Sequence, residues 1–133
     1  MAALLLDMER DLQTLAAADA GVDAIRAAAL DGVRQLRDAT AALLGTLAAR
    51  PDAGMAVSVP YLKLCGYVIG GWLLARSAAL AAAEPSGPER EFYAAKVHTA
   101  AFYAAQVLPT AAALTRVVQS GGASVVATDA ALI

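Results

Sequence analysis

A single cysteine, Cys65, leaves the chain no internal disulfide and no cysteine-rich metal site. A reducing compartment, and with it a cytoplasmic location, is the matching expectation. A single histidine, His98, has no second histidine, nearby cysteine or serine-rich turn to work with. That leaves a general-base role without its partners and favours an exposed or rim position. No two acids are placed as a glycosidase pair, and the Glu-x-x-His pattern of di-iron bundles is absent. Positive charge is also scarce. The ten Lys and Arg are scattered among twelve Asp and Glu, giving a net charge of -2. No basic stripe follows a nucleic-acid backbone, and no acidic tail is present. The start, MAALLLDMERD, carries acids by Asp7 and no basic opening, unlike a secretory signal.

The most apolar stretch has no long charge-free run either. In the most apolar stretch the longest is Leu64 to Ala75. That falls short of the ~20 residues a membrane span needs, so no span is expected. The 59% hydrophobic content and the mean hydropathy of +0.58 owe much to alanine, a strong helix former of weak hydrophobicity. At 133 residues the chain is expected to be one helical domain covering 1–133. That size buries roughly two thirds of its unfolded surface without a staple.

What is present is helical periodicity. Leu4, Leu5, Met8, Leu12 and Leu15 recur at helical spacing, which predicts a helix over 2–17. Asp19-Ala20-Gly21 ends it, and Asp19 or Asp23 caps the next. A second helix is predicted over 22–49. Val22, Ala29, Leu36 and Leu43 form one row of its seam, and Val33, Thr40 and Leu47 the other. Arg26 interrupts the second row. Gly32 and Gly45 each weaken the helix by about 1 kcal/mol relative to alanine, which packing must offset.

Pro51 stops that helix, and PDAGMAV reads as a turn-rich link. Ser58 is the expected N-cap of a central helix over 60–83, with Pro60 in its first turn. This stretch, YLKLCGYVIGGWLLARSAALAAA, has no acid and only two cations, Lys63 and Arg76. Gly66, Gly70 and Gly71 beside Trp72 are expected to admit a neighbouring helix closely. Cys65 reads as a small buried apolar residue. Lys63, Arg76 and Lys96 read as snorkelling side chains, the alternative being ion pairs with Glu84, Glu91 or an acid elsewhere in an assembly. Glu84-Pro85-Ser86-Gly87-Pro88 is the strongest break in the chain.

A last helix is predicted over 88–119, with Phe92, Ala95, Thr99, Phe102, Gln106, Pro109, Ala113 and Val117 as its inner stripe. Pro109 should kink it, and Gly121-Gly122 should end it. The tail after Gly122 suits a short helix and an extended arm equally. The expected fold is all-α, an antiparallel four-helix bundle with a short C-terminal tail.

Laid out this way, the second half resembles a known domain. Tyr61-Leu62 with Gly66, Gly71 and Trp72, Phe92-Tyr93 with Ala95-Lys96, Thr99-Ala100 with Phe102-Tyr103, and Leu108-Pro109 carry the likeness. Together they resemble the C-terminal extension of a branch of the acyl-CoA dehydrogenase family, the acetyl-CoA dehydrogenase-like C-terminal domain. MAALLLDMERDL resembles the end of the dehydrogenase helical domain that precedes it, so the likeness covers nearly the whole chain.

In that family the FAD-binding residues and the catalytic glutamate lie in the upstream body, in a Tyr-Glu-Gly-Thr type stretch that this chain lacks. The resemblance therefore implies an accessory domain with no catalytic, cofactor-binding or metal residue of its own. It would pack on a dehydrogenase body or on a second copy. Candidate interface or helix-packing residues are Gly66, Gly70, Gly71, Trp72, Phe102 and Tyr103. The alternatives are a free-standing homodimerising bundle and a small-molecule pocket lined by Tyr67, Trp72, Phe102 and Tyr103.

Overall fold

A computed structural model describes residues 1–16, 19–83 and 86–128. Among these residues all regular structure is helical, in six helices: α1 (Ala2–Thr14), α2 (Ala20–Ala49), α3 (Pro51–Ala56), α4 (Ser58–Ala82), α5 (Arg90–Gln106) and α6 (Thr110–Val126). Four helices were expected. The additional two arise where the chain folds through a link and where a proline cuts a helix.

Helix α2 follows its sequence pattern. Val22, Ala29, Val33 and Leu36 are buried, while Thr40, Leu43 and Leu47 close the seam at its rim. It begins earlier than periodicity alone suggests because Asp19 caps it, its carboxylate accepting the Val22 amide at 2.9 Å. Arg26, the interruption of the seam, is held by Asp23 one turn back. Gly32 is offset by packing on Val68 and Leu108, but Gly45 faces open space with nothing to compensate it.

The link after Pro51 is helix α3, not a turn. Pro51 sits in its first turn, where no amide is needed, and Asp52 suits the N-terminal dipole. Gly54 lets α3 fold back against Leu47 of α2. With α3 in place, Ser58 lies inside α4 and caps nothing; Val57 holds the cap position, without a side-chain bond. Gly87, with φ of +111°, turns the chain toward α5. Of the expected break here, Glu84 and Pro85 lie outside the described residues.

Pro109 does more than kink the last helix. The Tyr103 carbonyl accepts from both Val107 and Leu108, each at 3.0 Å, and α6 then starts afresh at Thr110. Proline has no amide to continue the ladder. Gly121-Gly122, expected as a stop, lies within α6, which runs on to Val126. Gly122 is there because α3 crosses so closely that a Cβ would stand 2.1 Å from the Ala53 carbonyl oxygen. Asp129 to Ile133 lie outside the described residues.

Helix α4 packs on all the others, most extensively on α2 and α5. Thr40 bonds Tyr61 while Gly32 meets Val68, so α2 and α4 run antiparallel. Gly70 meets Tyr103 while Leu80 lies beside Phe92, so α4 and α5 also run antiparallel. By length and composition α4 would suffice to cross a membrane, contrary to the expectation drawn from its charge-free run. Only Lys63 and Arg76 dilute it. Here its Leu64, Val68, Gly71, Ala75 and Ala78 are buried in the common core.

Helix α1 is held on by Leu5, Met8 and Leu12, all buried, and by Asp11. The Asp11 carboxylate accepts the Trp72 indole N–H at 2.6 Å and pairs with Arg76 Nε at 3.1 Å. The Arg76 guanidinium in turn lies 5.3 Å from the Trp72 ring centre. Helix α1 has 13 residues and no side-chain cap, so tertiary contact must supply most of its stability. Trp72→Phe should cost about 1–3 kcal/mol, the range for losing a hydrogen bond to a charged group. Amide exchange should rise first in α1, and equal exchange in both proteins would contradict this link.

Candidate functional site

Helix α4 is apolar nearly all the way round, a pattern that normally means burial on every side. Within this chain it is covered on part of its circumference only. On α4, Val59, Leu62, Gly66, Leu73 and Leu80 stand on the open side, with Leu62 71% and Leu80 70% exposed. They recur at steps of three, four and seven, one ridge of a helix.

On α5 and α6 the expected inner stripe is turned outward. Phe92, Ala95, Thr99, Phe102, Gln106, Pro109, Ala113 and Val117 are all exposed, Phe102 by 60%. Burial falls instead on Ala100, Leu108, Ala111, Thr115 and Val118, with Val97, Ala104 and Leu114 packed beside them. Small side chains take the inside because the helices approach closely there, and the larger rings are left outside.

The six candidate residues divide by environment. Gly71 is buried, and a Cβ there would lie 2.9 Å from both methyls of Leu108. A Cβ on Gly70 would meet the Tyr103 hydroxyl at 2.7 Å, and that hydroxyl donates to the Tyr67 carbonyl at 3.1 Å. Trp72 faces α1, and Phe102 faces solvent. Gly66 meets nothing within 4 Å, so no helix among the described residues uses the space it leaves. Tyr67, Trp72, Phe102 and Tyr103 therefore do not converge on one pocket.

Two of the three cations have definite partners: Arg76 pairs with Asp11, and Lys96 Nζ lies 5.0 Å from the Phe92 ring centre. Asp11 and Leu108 are the residues that sequence reasoning missed. Asp11 lies 61 positions from Trp72, beyond any local signal. Leu108 entered only as part of the Leu108-Pro109 pair that carries the family likeness, not as a packing residue.

Chemistry has little purchase here. Among the described residues no three His, Cys, Asp or Glu come together as a metal site. His98 is exposed. Cys65 is buried, and burial pushes its thiol above the usual value, against a smaller opposing hydrogen bond from Tyr61. Burial likewise raises the Tyr61 and Tyr103 hydroxyls. Unfolding would let all three release protons at lower pH than the folded chain does. Stability should therefore hold near neutrality and fall as pH climbs past about 9 to 10. Urea midpoints from pH 7 to 11 check the sign. Thiol labelling at pH 8 should be slower in native than in unfolded chain, since the thiolate is the nucleophile and Cys65 is both buried and less ionised when folded.

The surface clefts, about 280–410 Å³ in volume, are open; that between α2 and α6 is lined largely by Ala, Gly and short polar side chains.

Among the described residues the fold is all-helical, with a bare apolar ridge on α4. Residues 6–129 match the family described as acetyl-CoA dehydrogenase C-terminal like, and the chain belongs to that family. It is 45% identical over 67 residues to 3-methylmercaptopropionyl-CoA dehydrogenase of Ruegeria pomeroyi. That match covers 50% of this chain but 11% of the relative's length.

Proposed function

We propose that this chain is an accessory domain of an acyl-CoA dehydrogenase, soluble, folded as a helical bundle, and without catalysis of its own. In this reading the parent is an FAD-dependent oxidoreductase acting on an acyl-CoA thioester. FAD and the catalytic glutamate belong to the dehydrogenase body, and this domain packs against that body. The observation that carries the reading is the bare apolar face of α4 and α5 in a chain of this family. Monomers rarely leave large apolar patches uncovered.

The test is direct. Purified chain should be colourless, take up no FAD on titration and turn over no 3-methylmercaptopropionyl-CoA with an artificial electron acceptor. Stoichiometric flavin with turnover would refute the reading.

A second reading, self-association through the Gly66 and Gly70 side of α4, draws on the open space at Gly66. Light scattering separates the two, because a monomer at every concentration would exclude self-association.

A further inference from the structure

Resting on the reading above, we infer that the open ridge of α4 is the docking surface for the dehydrogenase body. Its occupant is an apolar helix of that body carrying carboxylates near both ends of the contact. Leu62, Gly66, Leu73 and Leu80 form the ridge, and Phe92 and Lys96 of α5 flank a groove of about 290 Å³ beside Leu80 and Ser77. Gly66 lowers the ridge with nothing opposite it, as a close helix crossing requires. The ridge from Leu62 to Leu80 is on the order of 27 Å long, which a helix of about 18 residues matches. Helix-in-groove recognition reads such a row of apolar anchors.

Charge selects the occupant. Asp11 beside the ridge is taken by Trp72 and Arg76, and Glu89 at the start of α5 by Tyr93, whereas among the described residues Lys63 and Lys96 have no carboxylate in ion-pair contact. Lys63 stands at one end of the ridge. Lys96 lies beside Ser77, about 20 Å further along by helical rise. A second copy docked antiparallel would set Lys63 near the other copy's Lys96. Docked parallel, it would set Lys63 against Lys63. Either arrangement joins like charges, which opposes association. A body surface with acids at those two points has no such conflict. The Ruegeria pomeroyi relative, matched over 11% of its length, has ample further chain to supply it.

The probe is the Ruegeria pomeroyi enzyme shortened by its segment alike to this chain. Binding of the full 133-residue chain is measured by titration calorimetry at two salt concentrations. Leu73→Ser and Leu80→Ser should each weaken binding at least tenfold. Lys63→Glu and Lys96→Glu should weaken it three- to tenfold, and salt should weaken the unaltered chain. Leu44→Ser, equally exposed but on α2, should change nothing. All five positions are exposed, so melting curves should stay close to that of the parent chain.

If the chain binds the body and the ridge variants bind as well as the parent, domain–body packing stands and the ridge assignment falls. No binding of the parent chain would overturn both. A dimer by light scattering that Leu73→Ser dissolves would put a second copy on the ridge instead. Binding to anionic vesicles lost in the same variant would put a lipid surface there.

Discussion

Gly122→Ala should destabilise the chain by at least about 3 kcal/mol, the upper end of what overpacking costs. The added methyl carbon would lie 2.1 Å from the Ala53 carbonyl oxygen and 2.9 Å from its carbonyl carbon. Both are backbone atoms of α3, so no rotamer change relieves the clash. One helix must shift, and α3 is already pinned on its other side by Gly54 against Leu47. In a domain of this size the melting temperature should fall by roughly 10 °C. Gly121→Ala is the control: its nearest neighbours are Val117 at 3.3 Å, within its own helix, and Val57 at 3.7 Å, both side-chain rather than backbone atoms and both beyond 3.0 Å. It should cost much less, or gain slightly from helix propensity. Equal stability of Gly122→Ala and the parent would mean that α6 ends at the glycine pair.

That glycine pair shows where the sequence was readable and where it was not. Glycine after a periodic run is ordinarily a stop signal. The same residue also serves close helix crossings, and only the position of α3 decides between the two. The α2 seam was legible because its large residues, Val22, Val33 and Leu36, coincide with the buried side. Asp19 was legible because capping is a local interaction of side chain and amide. The α5 stripe was misread because size was taken for burial. Phe92 and Phe102 outrank Ala100 and Ala104 on any hydrophobic scale, yet the alanines pack into the core. An apolar helix with two usable stripes has no inside until its neighbours are known. For the candidate site this error is informative. The residues that pattern alone assigns to a core are the ones this chain leaves bare. Trp72 was named as a packing or interface candidate, but its partner Asp11 comes from α1, and no spacing rule reaches that far.

Leu108→Ala should cost about 2–5 kcal/mol, and its combination with Gly71→Ala should cost less than the two changes added together. Leu108 swings inward where Pro109 breaks the helix, and it is buried. Its methyls fill a hollow formed by two glycines on different helices: 2.9 Å from a Cβ placed on Gly71 of α4, and 3.4 Å from one on Gly32 of α2. Removing the side chain leaves the hollow empty, because glycine has nothing to move into it. Gly71→Ala alone forces Leu108 outward and should cost about 1–3 kcal/mol. In the double variant the methyl that Gly71→Ala introduces occupies part of the space that Leu108 vacates. A coupling of about 1 kcal/mol or more, with the double variant better than additive, is the expected cycle in urea unfolding. Strict additivity would show that the two positions do not share this hollow. The same contact bears on docking. Leu108 fixes how α5 lies against α4, and therefore how Phe92 and Lys96 stand beside Leu80. Leu108→Ala should thus weaken body binding even under conditions where the variant remains folded, although Leu108 itself is buried away from any partner.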